Sequence, residues 1–461
     1  GRGIVLPSNA LGAAIAGVYA TGAYARIRRQ FNLPIGKFHG VGEVLARMTG
    51  YTYIMTAASR VTCTALNAGE KPAVPTAILK YHNTEMGRCV ANDAMDIHGG
   101  KGIMLGPKNY LARNYESVPI AITVEGANIL TRSLIIFGQG ATRCHPFVLE
   151  EIAAVTDKDR QSGLVKFDKL LFAHIGYALS NAVRSFVMAC THARFTGVLK
   201  RGATRRYYQH VNRYSASFAL ASDVAMLTIG GDLKRKELLS ARLGDILSYL
   251  YLTSMVLKHY QDQGSPQDDL PIVEWSCRTL LYRAQEQFHG LLRNFPNRWF
   301  ARLLRFLIFP RGRTYFSPSD ELCQEVAELI INPTDTRTRL SYGIYKTIEP
   351  SNPIGLLQEA IELAEKVEPL ERKVVEAYKV GQIDSSDASD QIDEAERRGI
   401  ITAEETIQIR EFDQKIMNLI AVDDFSSEDL ARKTVRSAGK KIAKKPTKNP
   451  SARKKRSTGK R

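Results

Sequence analysis

The chain has 461 residues, 44% of them hydrophobic, so it can form two or three domains that each bury a core. Its six cysteines are scattered and form no C-x-x-C pair, which argues against a disulfide framework and against a zinc site. The net charge of +17 comes mostly from residues 431–461, which hold 14 Lys and Arg residues and no acidic residue. This segment is too poor in apolar residues to fold, so we predict a disordered basic tail.

The chain shows no uninterrupted apolar run of the roughly 18 residues that a membrane-spanning helix needs, and no signal segment opens it. We therefore predict that it does not cross a membrane. The unpaired cysteines favour a reducing compartment, and the expected location is the cytoplasm. The first residue is Gly1 and a helical pattern begins almost at once, which predicts that the sequence is a fragment without its natural N-terminus.

Residues 1–146 predict an antiparallel helical bundle. Apolar residues recur at helical spacing in Leu11–Tyr19 and in Val41–Met55. A third helix is predicted to start near Pro75, where a missing N–H costs nothing, and to run to about Ile97. An irregular stretch is expected over 103–119, before a further helix over Ile129–Phe137. The fold class is all-α, because the β-branched alternation of strands is nearly absent.

Residues 147–430 predict a second helical domain. An apolar stripe runs along Leu233–His259, and Thr402 with Glu405 forms a capping box at the start of a later helix. The aspartates from Asp384 to Asp393 recur every third residue but lack the central glycine of a calcium loop. We interpret them as a solvated face and predict no metal site.

The segment Gly99-Gly100-Lys101-Gly102 ends the third predicted helix and is a candidate binding element. Glycines let the backbone turn sharply or approach a ligand closely, and phosphate is a common ligand of such turns. A helix C-cap followed by a loop is the simpler interpretation. The segment is not a Rossmann fingerprint, because no strand precedes it.

Glu125 is the candidate catalytic residue. It is a single carboxylate directly after the uncharged run Ile120–Val124, at a break before a helix. Apolar surroundings disfavour an ionised carboxylate, and this suits a general base that must accept a proton near neutral pH. An ordinary turn glutamate near a helix N-terminus is the alternative, and the residues alone leave both interpretations open.

Three motifs, in order and at matching spacing, resemble the C-terminal helical domain of acyl-CoA dehydrogenases. Arg28-Arg29-Gln30-Phe31 resembles the R-x-x-F of that family, whose arginine and phenylalanine contact the flavin dinucleotide. The segment from Asp96 to Gly102 resembles the family's segment ending GG-x-G, whose backbone approaches the cofactor's pyrophosphate across a subunit interface. Val124 to Asn128 resembles the E-G-T/A-N segment that carries the catalytic base.

The resemblance implies FAD as cofactor, with Arg28, Phe31, Gly99, Gly100 and Asn128 as its contacts. It implies Glu125 as the base that removes the α proton of a medium- or long-chain acyl-CoA in fatty-acid β-oxidation, giving trans-2-enoyl-CoA. Arg2 and Gly126 lie where the family contacts substrate. Electron-transferring flavoprotein as partner and a homo-oligomer are further implications. Glu125 is expected to face a flavin ring held partly by the diglycine turn and by Arg28.

Three residues depart from the family pattern: Asp96 replaces glutamine, Ala127 replaces threonine, and His39 replaces a glutamine that meets the cofactor. An aspartate beside a pyrophosphate repels it unless the carboxylate is turned away or paired. The segments Gly231–Lys236 and Phe309–Gly312 resemble the large bacterial long-chain enzymes that carry an additional C-terminal domain. The resemblance then covers about residues 1–430, and the isolated fragment is expected to be inactive because the family's preceding domains are absent from it.

Two other functions remain open at this stage. One is a helical protein that binds nucleic acid through its basic tail, although the rest of the chain is nearly neutral and shows no base-reading motif. The other is a flavin-free homologue that keeps the fold without the reaction. Residues 297–309 mix aromatic, aliphatic and arginine side chains as an interfacial helix does, which raises peripheral membrane contact as a hypothesis beside ordinary core packing.

Overall fold

The computed structural model describes residues 2–198 and 202–429, and it confirms the all-α fold class. The helices of the first region are α1 (Arg2–Ile27), α2 (His39–Asn67), α3 (Ala73–His98), α4 (Gly100–Ile103), α5 (Ala112–Thr123), α6 (Asn128–Leu130) and α7 (Ile136–Arg143). A two-stranded hairpin, β1 (Arg29–Gln30) and β2 (Leu33–Pro34), follows α1, and a π-helical turn, Thr131–Ile135, joins α6 to α7.

The later helices are α8 (Val148–Val155), α9 (Arg160–Cys190), α10 (Arg205–Ile229), α11 (Glu237–Asp262), α12 (Leu270–Asn294), α13 (Arg298–Ile308), α14 (Asp320–Ile331), α15 (Asp335–Leu340), α16 (Pro353–Lys379), α17 (Ala388–Arg397) and α18 (Ala403–Ile420). Short 3-10 turns lie at Ile35–Lys37, Gly230–Lys234 and Gln267–Asp269. The predicted capping box at Thr402 and Glu405 is present at the start of α18.

Helices α1 and α3 lie side by side and run in the same direction. At their starts a Cβ on Gly3 would lie 2.5 Å from the Thr76 Cβ, and at their ends the Tyr24 and His98 rings stack with centroids 4.1 Å apart. Gly22 of α1 approaches the end of α14 so closely that a Cβ there would lie 2.5 Å from the Ile330 carbonyl oxygen. These close approaches fix the relative position of the helix ends.

The expectation of an irregular stretch up to residue 119 was wrong, because α5 already begins at Ala112. The Asn109 side chain starts this helix: its Oδ1 accepts the backbone N–H groups of Leu111 and Ala112 at 2.9 and 2.7 Å. An asparagine that satisfies the first free N–H groups in this way is a strong helix-start signal. Pro119 lies inside the helix on its exposed side.

One hydrophobic core extends from the bundle helices into α10 to α14. Gly50 of α2 packs directly against the Trp275 indole of α12, and the Tyr51 ring meets the same indole edge to face at 5.8 Å. A second core joins α1 to α16, α17 and α18 through Ala20, Ala23 and Ile27. The first core thus includes residues from both sides of the predicted domain boundary at 146/147. That boundary stays a prediction.

By length and composition alone, two helical segments of the described residues could span a membrane, Gly3–Ile27 and Arg205–Lys234, and the bent pair Ala112–Thr123 and Asn128–Ala141 would be a third. The prediction that no segment is long enough is corrected by this finding. In the fold, α1 and α10 supply buried residues to the cores.

Contacts divide the chain into two units, Gly1–Ala421 and Val422–Arg461. In the second unit the described residues end at Asp429, whose N–H is accepted by the Ser426 hydroxyl at 3.2 Å. The predicted disordered tail, 431–461, lies outside the described residues.

Candidate functional site

The structure brings the predicted dinucleotide contacts Arg28, Gly99 and Gly100 to one end of the bundle. Arg28 follows the last turn of α1, and the stacked rings of Tyr24 and His98 join that turn to the residue before Gly99. Burial raises the pKa of Tyr24, and the positive charge of nearby Arg28 acts in the opposite direction. Gly99 has φ +56°, and a Cβ on either glycine would meet open space. The backbone here is therefore open to a ligand.

Phe31 occupies the tip of the β1–β2 hairpin at this end of the bundle. Phe31 and Asn32 form its two-residue turn with φ values of 52° and 62°. Two positive φ values define the turn type that suits a hairpin, but glycine and asparagine are its usual residues. A bulky residue in this conformation carries strain of about 1–3 kcal/mol and marks a position worth testing for function. The Phe31 side chain is 90% exposed, so it presents an uncovered aromatic face.

His98 anchors the end of α3, although the sequence did not single it out. Its Nδ1 lies 2.8 Å from the Ala94 carbonyl oxygen and its Nε2 lies 2.7 Å from the Tyr110 hydroxyl. The carbonyl requires the proton on Nδ1, so Nε2 accepts from Tyr110. Burial lowers the pKa of His98 to about 4, which keeps the ring neutral at physiological pH. Its position directly before the diglycine turn was the signal available in the sequence.

Glu125 lies in a tight loop between α5 and α6. It has φ 54° and Gly126 has φ 103°, so the chain reverses through two successive left-handed residues. A glutamate rarely adopts this conformation, and such strain concentrates at functional sites. The side chain is exposed in this chain, so the expectation of apolar surroundings was wrong: α5 ends before it, and no described element covers it. Its role as base stays a prediction.

Lys80 holds this loop in place from the buried face of α3. Its Nζ donates to the Ala121 carbonyl at 2.9 Å and to Asn128 Oδ1 at 2.7 Å, so it bridges the last turn of α5 and the residue that starts α6. The side chain is only 3% exposed. Burial lowers the pKa of Lys80, whereas the carboxylates of Glu85 and Glu125 act in the opposite direction. A lysine on an apolar helix face, after Ile78-Leu79, was a signal that the sequence analysis missed.

Asn128 is turned into the protein and does not face the solvent as a cofactor contact would. It is 2% exposed, and its Nδ2 donates to Thr84 Oγ1 at 2.9 Å and to Glu85 Oε1 at 2.8 Å. Its Oδ1 accepts from Lys80. The prediction of direct cofactor contact is therefore corrected: the amide is already hydrogen-bonded within the protein, and Asn128 fixes the loop that carries Glu125.

The two groups of predicted site residues lie far apart within one chain. The Glu125 loop is fastened to Lys80, whereas Arg28 and Gly99 lie beyond His98 at the far end of α3. At a helical rise of 1.5 Å per residue, Lys80 and His98 are separated by about 27 Å along the helix. Within one chain these elements therefore lie at different levels of α3, and the expectation that Glu125 faces a flavin ring held partly by the diglycine turn and Arg28 stays a prediction.

Arg2 begins α1 at the same end of the bundle as Glu125, since its neighbour Gly3 packs on Thr76, one turn before Lys80. The Arg2 side chain lies outside the described part of the chain, so its predicted substrate contact stays a prediction. Gly126 is half-buried, and a Cβ on it would lie 3.7 Å from Thr131 Oγ1.

The three residues that depart from the family pattern are all exposed: Asp96, Ala127 and His39. Asp96 lies one turn before Gly99 on α3 and forms no ion pair with any described residue. Its carboxylate is therefore open to solvent rather than neutralised. His39 begins α2, and its carbonyl accepts from Gln324 Nε2 at 3.1 Å.

A second polar cluster, His145, His174 and Asp223, joins the α7–α8 connection to α9 and α10. Ligand atoms of these three residues lie within 4.8 Å of one another, as in metal sites. However, His145 Nδ1 accepts two backbone N–H groups at the start of α8, so its Nε2 carries the proton and donates it to Asp223 at 2.8 Å. His174 Nδ1 pairs with Glu151 at 2.8 Å. The cluster is thus a hydrogen-bonded network between helices.

Two models of acyl-CoA dehydrogenase C-terminal domains match the chain, one over each region. Residues 142–425 match the family model "Acyl-CoA dehydrogenase, C-terminal, bacterial type", and residues 4–137 match "Acyl-CoA dehydrogenase, C-terminal domain". The chain belongs to the acyl-CoA dehydrogenase family. The longer match identifies the bacterial type of its C-terminal region.

Three named relatives each match a limited part of the chain. The chain is 33% identical over 138 residues to 3-(aryl)acrylate reductase of Clostridium sporogenes, covering 29% of this chain and 34% of that protein. It is 36% identical over 101 residues to acyl-CoA dehydrogenase FadE27 of Mycobacterium tuberculosis, covering 20% of this chain and 27% of that protein. It is 29% identical over 136 residues to acryloyl-CoA reductase (NADH) of Anaerotignum propionicum, covering 29% of this chain and 34% of that protein. The chain thus spans about a third of the length of these relatives.

Among solved structures, an acyl-CoA dehydrogenase from Bacillus anthracis complexed with FAD superposes with a TM-score of 0.54 at 17% identity. The match covers 71% of this chain and 54% of that protein. This likeness supports the fold.

Proposed function

We propose that this chain is the catalytic-base and dinucleotide-contacting part of an FAD-dependent acyl-CoA dehydrogenase. The reaction is the α,β-dehydrogenation of a medium- or long-chain acyl-CoA to trans-2-enoyl-CoA in fatty-acid β-oxidation. The observation that carries the proposal is the strained, exposed Glu125 in a loop that Lys80 and Asn128 hold rigidly. Membership of the family and the name of the relative FadE27, an acyl-CoA dehydrogenase, agree with this chemistry.

The residues at the Arg28 end fit a dinucleotide. The backbone at Gly99 and Gly100 is open where a side chain would obstruct a phosphate, Arg28 supplies a positive charge, and Phe31 offers an uncovered ring for an adenine or ribose. The Asp96 carboxylate repels a nearby phosphate, but the side chain is exposed, so solvent and salt screen this repulsion. These residues would hold the dinucleotide portion of FAD; the Bacillus anthracis acyl-CoA dehydrogenase, which has a similar fold, is itself complexed with FAD.

FAD, when bound, supplies the acceptor for the hydride that leaves carbon β. The chain's own residues supply the remainder of the mechanism. The Glu125 carboxylate takes the proton from carbon α, and its backbone N–H donates to the thioester carbonyl oxygen, which acidifies that proton. Lys80 and Asn128 fix the loop so that the carboxylate needs little reorganisation. Electron-transferring flavoprotein is the proposed acceptor of the electrons.

We propose that the enzyme is a homo-oligomer whose active site draws on two copies. Within one chain, about 27 Å of α3 separates the Glu125 loop from the diglycine turn, taking the helical rise as 1.5 Å per residue. A second copy would bring its Arg28, Phe31 and Gly99 to the cofactor that faces Glu125 of the first. A single copy of the 461-residue chain is accordingly expected to be inactive.

Substitution of Glu125 by glutamine in the full-length protein tests the assignment of the base. The Glu125→Gln variant should bind flavin as the parent does, with the same visible absorption, but lose at least about a hundredfold in turnover because no proton acceptor remains. Glu116→Gln, on the exposed side of α5, is the matched control and should keep its activity. Turnover by Glu125→Gln at the rate of the parent would disprove the assignment.

A second candidate is reduction of an enoyl substrate, the reverse reaction, because two relatives carry reductase names. The same base would then return a proton to carbon α. Assays with palmitoyl-CoA under oxidising conditions and with acryloyl-CoA or an arylacrylate under reducing conditions separate the two directions. Faster turnover in the reducing direction would favour this second candidate.

A further inference from the structure

Helix α9 presents a long apolar face that no described part of the chain covers. Residues 170–183 contain no Lys, Arg, Asp or Glu. Within this stretch Phe172 is 72% exposed, and Leu179 and Val183 are each 63% exposed. Residues at this spacing lie on one side of a helix. Burying a continuous apolar stripe is favourable, so an uncovered stripe of this length marks an interaction surface.

Helix α13 continues the same face. The Phe306 ring of α13 packs against Phe186 of α9 with centroids 5.1 Å apart, so the two helices are adjacent at this point. Trp299 is 78% exposed and Phe306 is 59% exposed, on the side of α13 that faces away from the core. We call the exposed apolar side chains of α9 and α13 the α9–α13 face.

The charged residues on the two helices of the α9–α13 face are mainly basic. Helix α9 holds four basic residues and one acidic residue, and α13 holds three arginines and no acidic residue. All three arginines, Arg298, Arg302 and Arg305, are exposed, and none forms an ion pair with a described residue. The Arg302 guanidinium lies over the Trp299 ring, 5.6 Å from its centroid. An apolar face with a cationic rim and an exposed tryptophan has the composition of helices that lie in a lipid interface.

We propose that the α9–α13 face docks onto an anionic lipid bilayer, lying in its interface without crossing it. The apolar side chains would enter the upper acyl region, Trp299 would lie at headgroup level, and the arginines would contact lipid phosphates with their stems along the apolar surface. A second copy of this chain fits less well, because apposed copies would bring their arginine rims together.

Co-sedimentation of the full chain with vesicles tests this proposal. We expect binding to phosphatidylcholine vesicles that contain phosphatidylglycerol, and much weaker binding to phosphatidylcholine alone or at high salt. The double variant Phe172→Asp with Leu179→Asp should reduce the partition coefficient at least about tenfold, because two apolar side chains no longer enter the bilayer. Val380→Asp is the matched control: Val380 is 70% exposed on a different part of the surface and should bind as the parent does.

Tryptophan fluorescence gives a second measurement that does not depend on a variant. The chain has two tryptophans, and Trp275 is buried in the core at 5% exposure. Brominated lipids should therefore quench only Trp299. The basic segment 431–461 is present in every variant, so a difference between variants reports on the α9–α13 face and not on that segment.

Three outcomes would overturn the proposal. The first is an absence of binding to anionic vesicles at low salt. The second is undiminished binding by the aspartate double variant, which would assign lipid binding to residues elsewhere. The third is self-association that the double variant weakens, without vesicle binding, which would show that a second copy covers the face.

Discussion

Replacement of Lys80 by methionine should loosen the loop that carries the proposed base. The change removes the donor to Asn128 Oδ1, 2.7 Å from Nζ, and the donor to the Ala121 carbonyl, 2.9 Å away. A buried acceptor left without a donor costs about 1–3 kcal/mol. Burial lowers the pKa of Lys80, which shows that its charge is itself disfavoured there, so part of this cost is offset. We expect a net destabilisation of about 1–3 kcal/mol.

Urea unfolding followed by circular dichroism measures this loss, and Lys37→Met is the matched control. Lys37 forms an ion pair with Glu328 on the surface, where removing a partner costs about 0–1 kcal/mol. Hydrogen exchange should show faster opening over residues 121–128 than in the rest of the bundle for Lys80→Met. A loss of unfolding free energy no larger than that of Lys37→Met, with unchanged hydrogen exchange over residues 121–128, would refute the role of Lys80 in holding the Glu125 loop.

Three other expectations concern the bundle. Burial lowers the pKa of His98 to about 4, so between pH 6.5 and 4 the histidine is protonated in the unfolded state but not in the folded state. This group therefore lowers the free energy of unfolding by about 1.4 kcal/mol for each pH unit of acidification in that window. Urea titrations of His98→Gln should show a shallower pH dependence there, and equal slopes for variant and parent would contradict the assignment. Gly22→Ala should lower stability by about 1–3 kcal/mol, because the new Cβ would clash with a carbonyl oxygen of α14. Gly12→Ala is the control and should raise stability by about 0.5–1 kcal/mol, because no atom lies within 4 Å of the new Cβ. Equal effects of the two changes in calorimetry would contradict the close approach of α1 to α14 at Gly22. Arg132→Met should cost about 1–3 kcal/mol, because it leaves the buried carboxylate of Asp245 without the arginine partner now 2.6 Å away. A chemical denaturation midpoint near that of the parent would contradict the role of this ion pair.

The predicted helices and motifs came from local patterns, and this explains which of them were confirmed. Apolar residues at helical spacing predicted α1 and α2, Pro75 predicted a helix start close to that of α3, and all three helices are present. Gly99 ends α3 because it adopts φ +56°, a conformation that glycine reaches without strain. The start of helix α5 was missed because it depends on the side chain of Asn109, three residues before Ala112, which accepts the first N–H groups, whereas Pro119 suggested a break.

What the sequence by itself determined was the all-α class, the presence of the long bundle helices, the end of α3 at Gly99 and the order of the motifs, because each depends on residues within a few turns of one another. Only the tertiary structure decided which side chains face inward and which elements lie together. It turned Asn128 into the protein, placed Lys80 beneath the Glu125 loop and put about 27 Å of α3, at 1.5 Å per residue, between that loop and Gly99. These facts depend on how separate helices pack, and local spacing along the chain carries no measure of that.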